Sequence, residues 1–236
     1  MLMNICGFQK STLIDYPGKL SCILFLAGCN FDCPYCHNPD LVRSGSATAP
    51  VISPDQLEAF LARRQGLLDG VVVTGGEPTL QSDLPELCRR IKDMGFSIKL
   101  DTNGSRPKVL DRLIAEGLID YVAMDLKTDP ERYAPLISRT CKPETIQASV
   151  RTILASGLSH EFRTTCVYPL IDADAVDVMA RLVTGAKSHV LQRVQHKNVS
   201  VLHPEFFDTY DWFIDEPTLE QYRLRLAEFV CACSIR

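Results

Sequence analysis

The stretch LSCILFLAGCNFDCPYCHNPD, Leu20 to Asp40, runs an apolar segment straight into a loop that carries Cys29, Cys33, Cys36 and His37. Leu20 to Ala27 reads as a buried strand, because a short continuous apolar run without alternation suits a strand covered on both faces. The loop behind it admits four chemistries. Cys33-Pro34-Tyr35-Cys36 alone reads as a redox dithiol, and Cys33 to His37 as a C-x-x-C-H haem attachment. Cys29, Cys33, Cys36 and His37 together supply ligand types for a structural zinc. Without His37, three thiolates would hold an iron–sulfur cluster and leave one iron unclaimed.

Working outward, the strand-then-loop unit repeats. Val71 to Thr74, Ser97 to Asp101, Tyr121 to Asp125, Glu161 to Thr165 and His189 to Gln192 are strand candidates. Between them, Pro54 to Leu68, Ser82 to Met94, Pro107 to Glu116, Pro143 to Ala155 and Ala173 to Val183 carry apolar residues at helical spacing, several opened by Ser, Asp or Pro. Six βα units imply a parallel sheet, and right-handed crossovers would curl it into an open arc. The expected fold class is therefore α/β, a partial (β/α)6 barrel with parallel strands. No linker divides the chain, so we expect a single domain over residues 1–236, with a core over about 18–195 and a C-terminal helix and tail over about 196–236. Ser44 to Pro50 is the one loose stretch. Asp215 to Arg236 reads as a closing helix, with Cys231-Ala232-Cys233 in a frayed tail.

Composition narrows the function classes. The 236 residues are 46% hydrophobic and 23% charged, an ordinary globular balance. The formal charge is −4 and no stretch concentrates Lys and Arg, so neither nucleic acid nor a membrane surface is an expected partner. The N-terminus has no basic region followed by an apolar run and a cleavage site, and Cys22 to Cys29 is too short to span a bilayer. We expect a cytoplasmic protein, where ten cysteines are not a disulfide framework and covalent haem is out of place.

Polar groups recur at the ends of the strand candidates, where the loops of a barrel converge on one mouth. Cys29 follows the first, Gly75-Gly76-Glu77 the second, Asp101-Thr102-Asn103 the third, and Asp125 with Lys127 the fourth. Arg163 lies in the fifth and Gln192 near the end of the sixth. Any one of these is equally explained as a polar strand end meeting solvent, and Lys127 as a solvated loop lysine.

The C-x3-C-x2-C spacing with Tyr35 before the last cysteine, followed one βα unit later by Gly75-Gly76-Glu77-Pro78, resembles the radical S-adenosylmethionine (SAM) enzymes. YCHNPD, Tyr35 to Asp40, is similar to the enzymes that install glycyl radicals. GFQKSTLIDYPGKLSCILFLAGCNFDCPYCHNPDL, Gly7 to Leu41, resembles in particular the activating proteins of anaerobic ribonucleoside-triphosphate reductases. The resemblance is dense there, recurs at the strand ends to about Gln192 and fades beyond.

That resemblance implies a radical SAM core in which Cys29, Cys33 and Cys36 ligate three irons of a [4Fe-4S] cluster, and SAM binds the fourth through its amino and carboxylate groups. It implies reductive cleavage of the sulfonium to a 5′-deoxyadenosyl radical, which takes a hydrogen atom from the target. Gly75 and Gly76 would let the backbone approach the cofactor closely, and a side chain at Gly76 would crowd SAM while sparing the cluster. Glu77 would receive the methionyl ammonium or brace the turn. Tyr35 is a candidate for the adenine, and Asp101, Thr102 and Asn103 for the ribose. Asp125 and Lys127 match a D-x-K element of the activating enzymes, while Arg163 is a candidate for the cofactor carboxylate and Gln192 a further one. The implied partners are a glycyl-radical enzyme, anaerobic ribonucleoside-triphosphate reductase, and a low-potential donor such as flavodoxin or ferredoxin.

Two other readings stay open at this point. One is a radical SAM enzyme acting on a small molecule, in the manner of a carboxydeazaguanine synthase. The other is a Cys3His zinc module, against which stands the adjacency of His37 to Cys36, awkward for closure on one metal.

Overall fold

The computed structural model describes residues 4–43, 51–195 and 200–236; the loose stretch Ser44 to Pro50 lies outside them. The chain divides into two compact units, Met1–Asn30 with Asp40–Thr102 and Lys108–Val122, and Phe31–Pro39 with Asn103–Pro107 and Ala123–Arg236. Strands β1 (Ile5–Thr12), β2 (Ser21–Leu26), β3 (Gly70–Gly75), β4 (Ser97–Thr102), β5 (Tyr121–Asp125), β6 (Ser159–Cys166), β7 (His189–Arg193) and β8 (Cys233–Ile235) are hydrogen-bonded in chain order. Six of the eight correspond to the strands expected from sequence.

In the first unit β1 pairs antiparallel with β2, and β2, β3 and β4 are parallel neighbours, with Leu24 opposite Val73 and Val73 opposite Leu100. Those three residues are fully buried, as parallel strands under crossover helices require. Helix α1 (Pro39–Arg43) follows the cysteine loop and α2 (Pro54–Ala62) follows β2. Ser53 and Gln56 close a capping box at the start of α2, which ends six residues before the expected Leu68. Leu84, Leu87, Cys88 and Ile91 form the inward stripe of α3 (Leu84–Asp93), and Leu110 and Leu113 that of α4 (Pro107–Ala115).

In the second unit β6, β7 and β8 are parallel neighbours. The helices of this unit are α5 (Pro143–Ala155), α6 (Ala173–Leu182), the short α7 (Glu205–Thr209) and α8 (Glu216–Ala227), of which α8 packs on β7, β8 and α6. The expected frayed tail is instead ordered. The Cys231 amide donates to the Ala186 carbonyl, the His189 amide to Ala232 and the Arg236 amide to Leu191, each at 2.9 Å, so backbone pairing to β7 turns the tail into an edge strand.

His189 in β7 is fully buried. Its Nε2 lies 2.9 Å from the Thr164 hydroxyl, while Nδ1 has no partner among the described residues. Burial pushes its pKa down to about 3. A folded pKa below the unfolded one means that the unfolded chain takes up a proton below about pH 6.5 that the folded chain refuses. Stability should fall over the window from about 6.5 to 3, with about 2–3 kcal/mol lost by pH 4.5 through this group. In urea unfolding of cluster-free protein, His189→Leu should shrink the stability difference between pH 7.5 and 4.5 by that amount. An unchanged difference would remove His189 as its source.

Candidate cofactor-binding site

In the first unit the end of β3 is laced against the chain that leads into Cys29. The Gly76 amide donates to the Leu26 carbonyl at 2.9 Å and the Glu77 amide to the Gly28 carbonyl at 2.7 Å, while the Gly28 amide donates to Leu41 at 2.8 Å. Gly75 sits at φ +135°, where a Cβ would fall on the backbone of Leu26. A Cβ on Gly76 would fall on the Gly28 carbonyl and come within 3.1 Å of the Cys29 nitrogen. Both glycines are thus required by the protein's own backbone, whatever binds nearby.

Glu77 is fully buried. Its Oε1 accepts from the Thr79 amide at 3.0 Å, from the Thr79 hydroxyl, and from the Thr102 hydroxyl at 2.8 Å. The carboxylate therefore ties the end of β3 to the end of β4. Gln81, which no sequence pattern singles out, donates its side-chain amide to the Ala27 carbonyl at 2.7 Å beside the same turn. Asp101 pairs with the buried Lys99.

In the second unit the Cys33–Cys36 turn is closed by the Cys36 amide on the Cys33 carbonyl at 3.1 Å. Residues far along the chain hold it. The His203 amide donates to the Pro34 carbonyl at 3.1 Å, the Leu202 amide to Cys36 at 3.0 Å, and the Asp32 amide to Ile137 at 2.8 Å. The His203 ring spans two carboxylates, Nε2 to Asp32 and Nδ1 to Glu205, both at 2.9 Å. The Asp32 hydrogen bond raises the His203 pKa against partial desolvation, and Glu205 adds to it. His37 places Nε2 2.6 Å from the Gln195 carbonyl, which accounts for it without a metal.

His203 was not legible as a site residue, since nothing near it in sequence hints at Asp32. Replacing it with Ala should loosen the loop. About 1 kcal/mol of local stability, discounted because the ring is partly exposed, corresponds to roughly fivefold faster amide exchange at Asp32 and Cys36 in cluster-free protein. Protection equal to the parent would show that the backbone bonds suffice.

The second unit also gathers Asp125, Lys127 and Arg163. Arg163 Nε and Lys127 Nζ each lie 2.8 Å from a different Asp125 oxygen, with the three side chains 15–25% exposed. Burial raises the Asp125 pKa, but the Arg163 and Lys127 charges outweigh it and hold the carboxyl well below its usual range. Burial likewise opposes the Lys127 charge, and Asp125 more than restores it. Two cations share the Asp125 carboxylate. Lys127 is thus no solvated loop lysine. Its Nζ stands 5.9 Å from the ring centroid of Tyr35, a buried residue whose hydroxyl has no hydrogen-bond partner among the described residues and whose pKa burial pushes well above normal.

Asn103 accepts the Ser105 amide at 2.9 Å and shapes its own turn. Gln192 stands opposite Thr165 as Val190 stands opposite Arg163, so Gln192 shares a sheet face with Arg163. None of the ten cysteines is in a disulfide. Among the described residues no three His, Cys, Asp or Glu side chains form a group placed to hold a metal ion.

The family model of the Radical SAM superfamily matches residues 23–182, more than half of the chain. The chain belongs to the radical SAM superfamily. Its cofactors are accordingly a [4Fe-4S] cluster and SAM. A protein of Methanocaldococcus jannaschii named as a glycyl-radical enzyme activating enzyme is 34% identical over 201 residues, 82% of this chain and 81% of its own. The pyruvate formate-lyase-activating enzyme of Streptococcus mutans is 32% identical over 187 residues, 72% of this chain and 69% of its own. Among solved structures, QueE from Escherichia coli superposes with a TM-score of 0.58 at 16% identity over 100% of this chain and 94% of that one. That likeness shows the radical SAM fold, an α/β core with mostly parallel strands. No described helix is long and apolar enough to cross a membrane.

The residues fit the cofactors in chemical type. Cys29, Cys33 and Cys36 are three thiols within eight positions, none consumed in a disulfide. Lys127 and Arg163 are cations of the type that receives an anionic group, and the Tyr35 hydroxyl has no hydrogen-bond partner among the described residues.

Proposed function

We propose that this radical SAM protein is an activating enzyme that installs a glycyl radical in a partner enzyme, and that the partner is an anaerobic ribonucleoside-triphosphate reductase. The similarity to activating enzymes over four fifths of the chain carries the reading, and the Gly7–Leu41 resemblance supports the choice of partner. Cys29, Cys33 and Cys36 would hold three irons and leave the fourth for SAM. When bound, the cluster and SAM supply the one-electron chemistry that generates the hydrogen-abstracting radical.

The chain's own residues bind and orient. Gly75 and Gly76 keep the β3 end close to the cysteine loop, and Glu77 fixes that turn through Thr79 and Thr102. Lys127 and Arg163, with Asp125 between them, would hold the SAM carboxylate, and Tyr35, Thr102 and Asn103 the adenosine. Gln192, on the Arg163 face, would line the same pocket. No side chain is assigned as a general base. A low-potential flavodoxin or ferredoxin would reduce the cluster, in a cytoplasm that keeps ten thiols reduced.

The test is a product count. Under a reductant and SAM, 5′-deoxyadenosine should accumulate in proportion to added reductase protein and stop when its glycine sites are consumed. Continuous turnover with a small molecule, and none with the reductase, would assign the protein to small-molecule chemistry instead.

A further inference from the structure

Directly after the His203 clasp, Pro204 to Glu216 carries five aromatic residues and five carboxylates, with no Lys or Arg. The rings form a ladder. Phe206 meets Tyr210 at 5.0 Å and Phe207 at 5.4 Å, Phe207 meets Trp212 at 5.3 Å, and Trp212 meets Phe213 at 5.8 Å. Phe206 is buried and anchors the ladder, whereas Phe213 is 66% exposed. Tyr168, 47% exposed, joins it by donating its amide to the Trp212 carbonyl at 3.0 Å.

Three of the carboxylates have structural work. Glu205 holds His203, Asp215 caps α8 by accepting the Thr218 amide at 3.0 Å, and Glu216 pairs with Arg193. Asp208 and Asp211 have no ion-pair partner among the described residues, so the exposed rings are flanked by uncompensated negative charge. Exposed aromatic surface of this kind marks an interaction site. Lys and Arg satisfy both features at once, because their stems lie on ring faces while their cations meet carboxylates. An acidic polypeptide would be repelled.

The location gives the occupant its role. His203 is bonded to Asp32 and Pro34 in the cysteine loop, so the aromatic segment continues from the very residues that hold that loop. We infer that Glu205 to Asp215, with Tyr168, is the docking surface for a basic segment of the polypeptide that accepts the radical. This rests on the activating-enzyme reading and adds where the partner binds and what charge it carries there.

The probe is the full-length anaerobic ribonucleoside-triphosphate reductase of the same organism, titrated against the whole protein at several salt concentrations. Joint replacement Asp208→Lys and Asp211→Lys should weaken binding at least about tenfold and flatten its salt dependence. Phe213→Ala should weaken it about fivefold or more. Neither change should alter SAM cleavage measured without partner. If the charge-reversed protein binds and activates the reductase like the parent, the docking assignment is wrong while the activating function stands. If the parent itself neither binds nor activates this reductase or a pyruvate formate-lyase, both fall together.

Discussion

Replacing Cys29, Cys33 or Cys36 singly with alanine is expected to strip most of the cluster iron from the protein and to lower SAM cleavage at least about a hundredfold. Losing even a residue that only orients a metal ligand costs about 10–100-fold, and a direct thiolate should cost more. The control is Cys22→Ala in β2. That thiol is fully buried, and burial pushes its pKa up to about 12, so it stays protonated and behaves as a small apolar residue. Its replacement should trim stability by about 1 kcal/mol and leave iron and cleavage largely intact. Iron analysis and 5′-deoxyadenosine assays on anaerobically reconstituted variants would decide. Wild-type iron and cleavage in all three loop variants would end the cluster assignment, and zinc in place of iron would return the Cys3His reading.

Gly76→Ala is expected to damage the cluster as well as the SAM site. From sequence, a side chain here crowds only the cofactor. The structure gives the glycine a prior obligation, because its Cβ position coincides with the Gly28 carbonyl, one residue before Cys29. Backbone cannot rotate away as a side chain can, so relief requires shifting the loop entry or breaking the Glu77 amide bond to Gly28. We expect a loss of at least about 2–3 kcal/mol in the cluster-free protein, together with reduced iron loading. The test is unfolding midpoint and iron content measured side by side. Normal stability and iron with weakened SAM binding would restore the cofactor-only explanation.

The parallel strands were legible because each is a short apolar run with turn residues at its ends. Tyr121 to Asp125 was placed to the residue, and Ser97 to Asp101 within one. β1 was not. Its residues Gln9, Lys10 and Ser11 are exposed, as suits a strand at the end of the sheet order, and no apolar run marks it. β8 is three residues long and rests on bonds to β7, so nothing local distinguishes it from a fraying tail.

The site divides in the same way. Residue types at strand ends could be read in order along the chain, whereas pairings between distant positions could not. Asp125 finds Arg163 from 38 residues away, Glu77 finds Thr102 from 25, and Asp32 finds His203 from 171. Those partners tie Arg163 to Asp125 and make Glu77 a brace, while His37 meets the Gln195 carbonyl from 158 residues away.

The most direct test of the account is electron paramagnetic resonance of the anaerobic reductase after incubation with this protein, SAM and a reductant. A partner-borne doublet from a glycyl α-hydrogen is expected, and it should collapse toward a singlet when the reductase is grown with α-deuterated glycine and vanish with Cys33→Ala. A correctly folded reductase that gains no radical while the protein cleaves SAM with a small molecule would contradict the activating role.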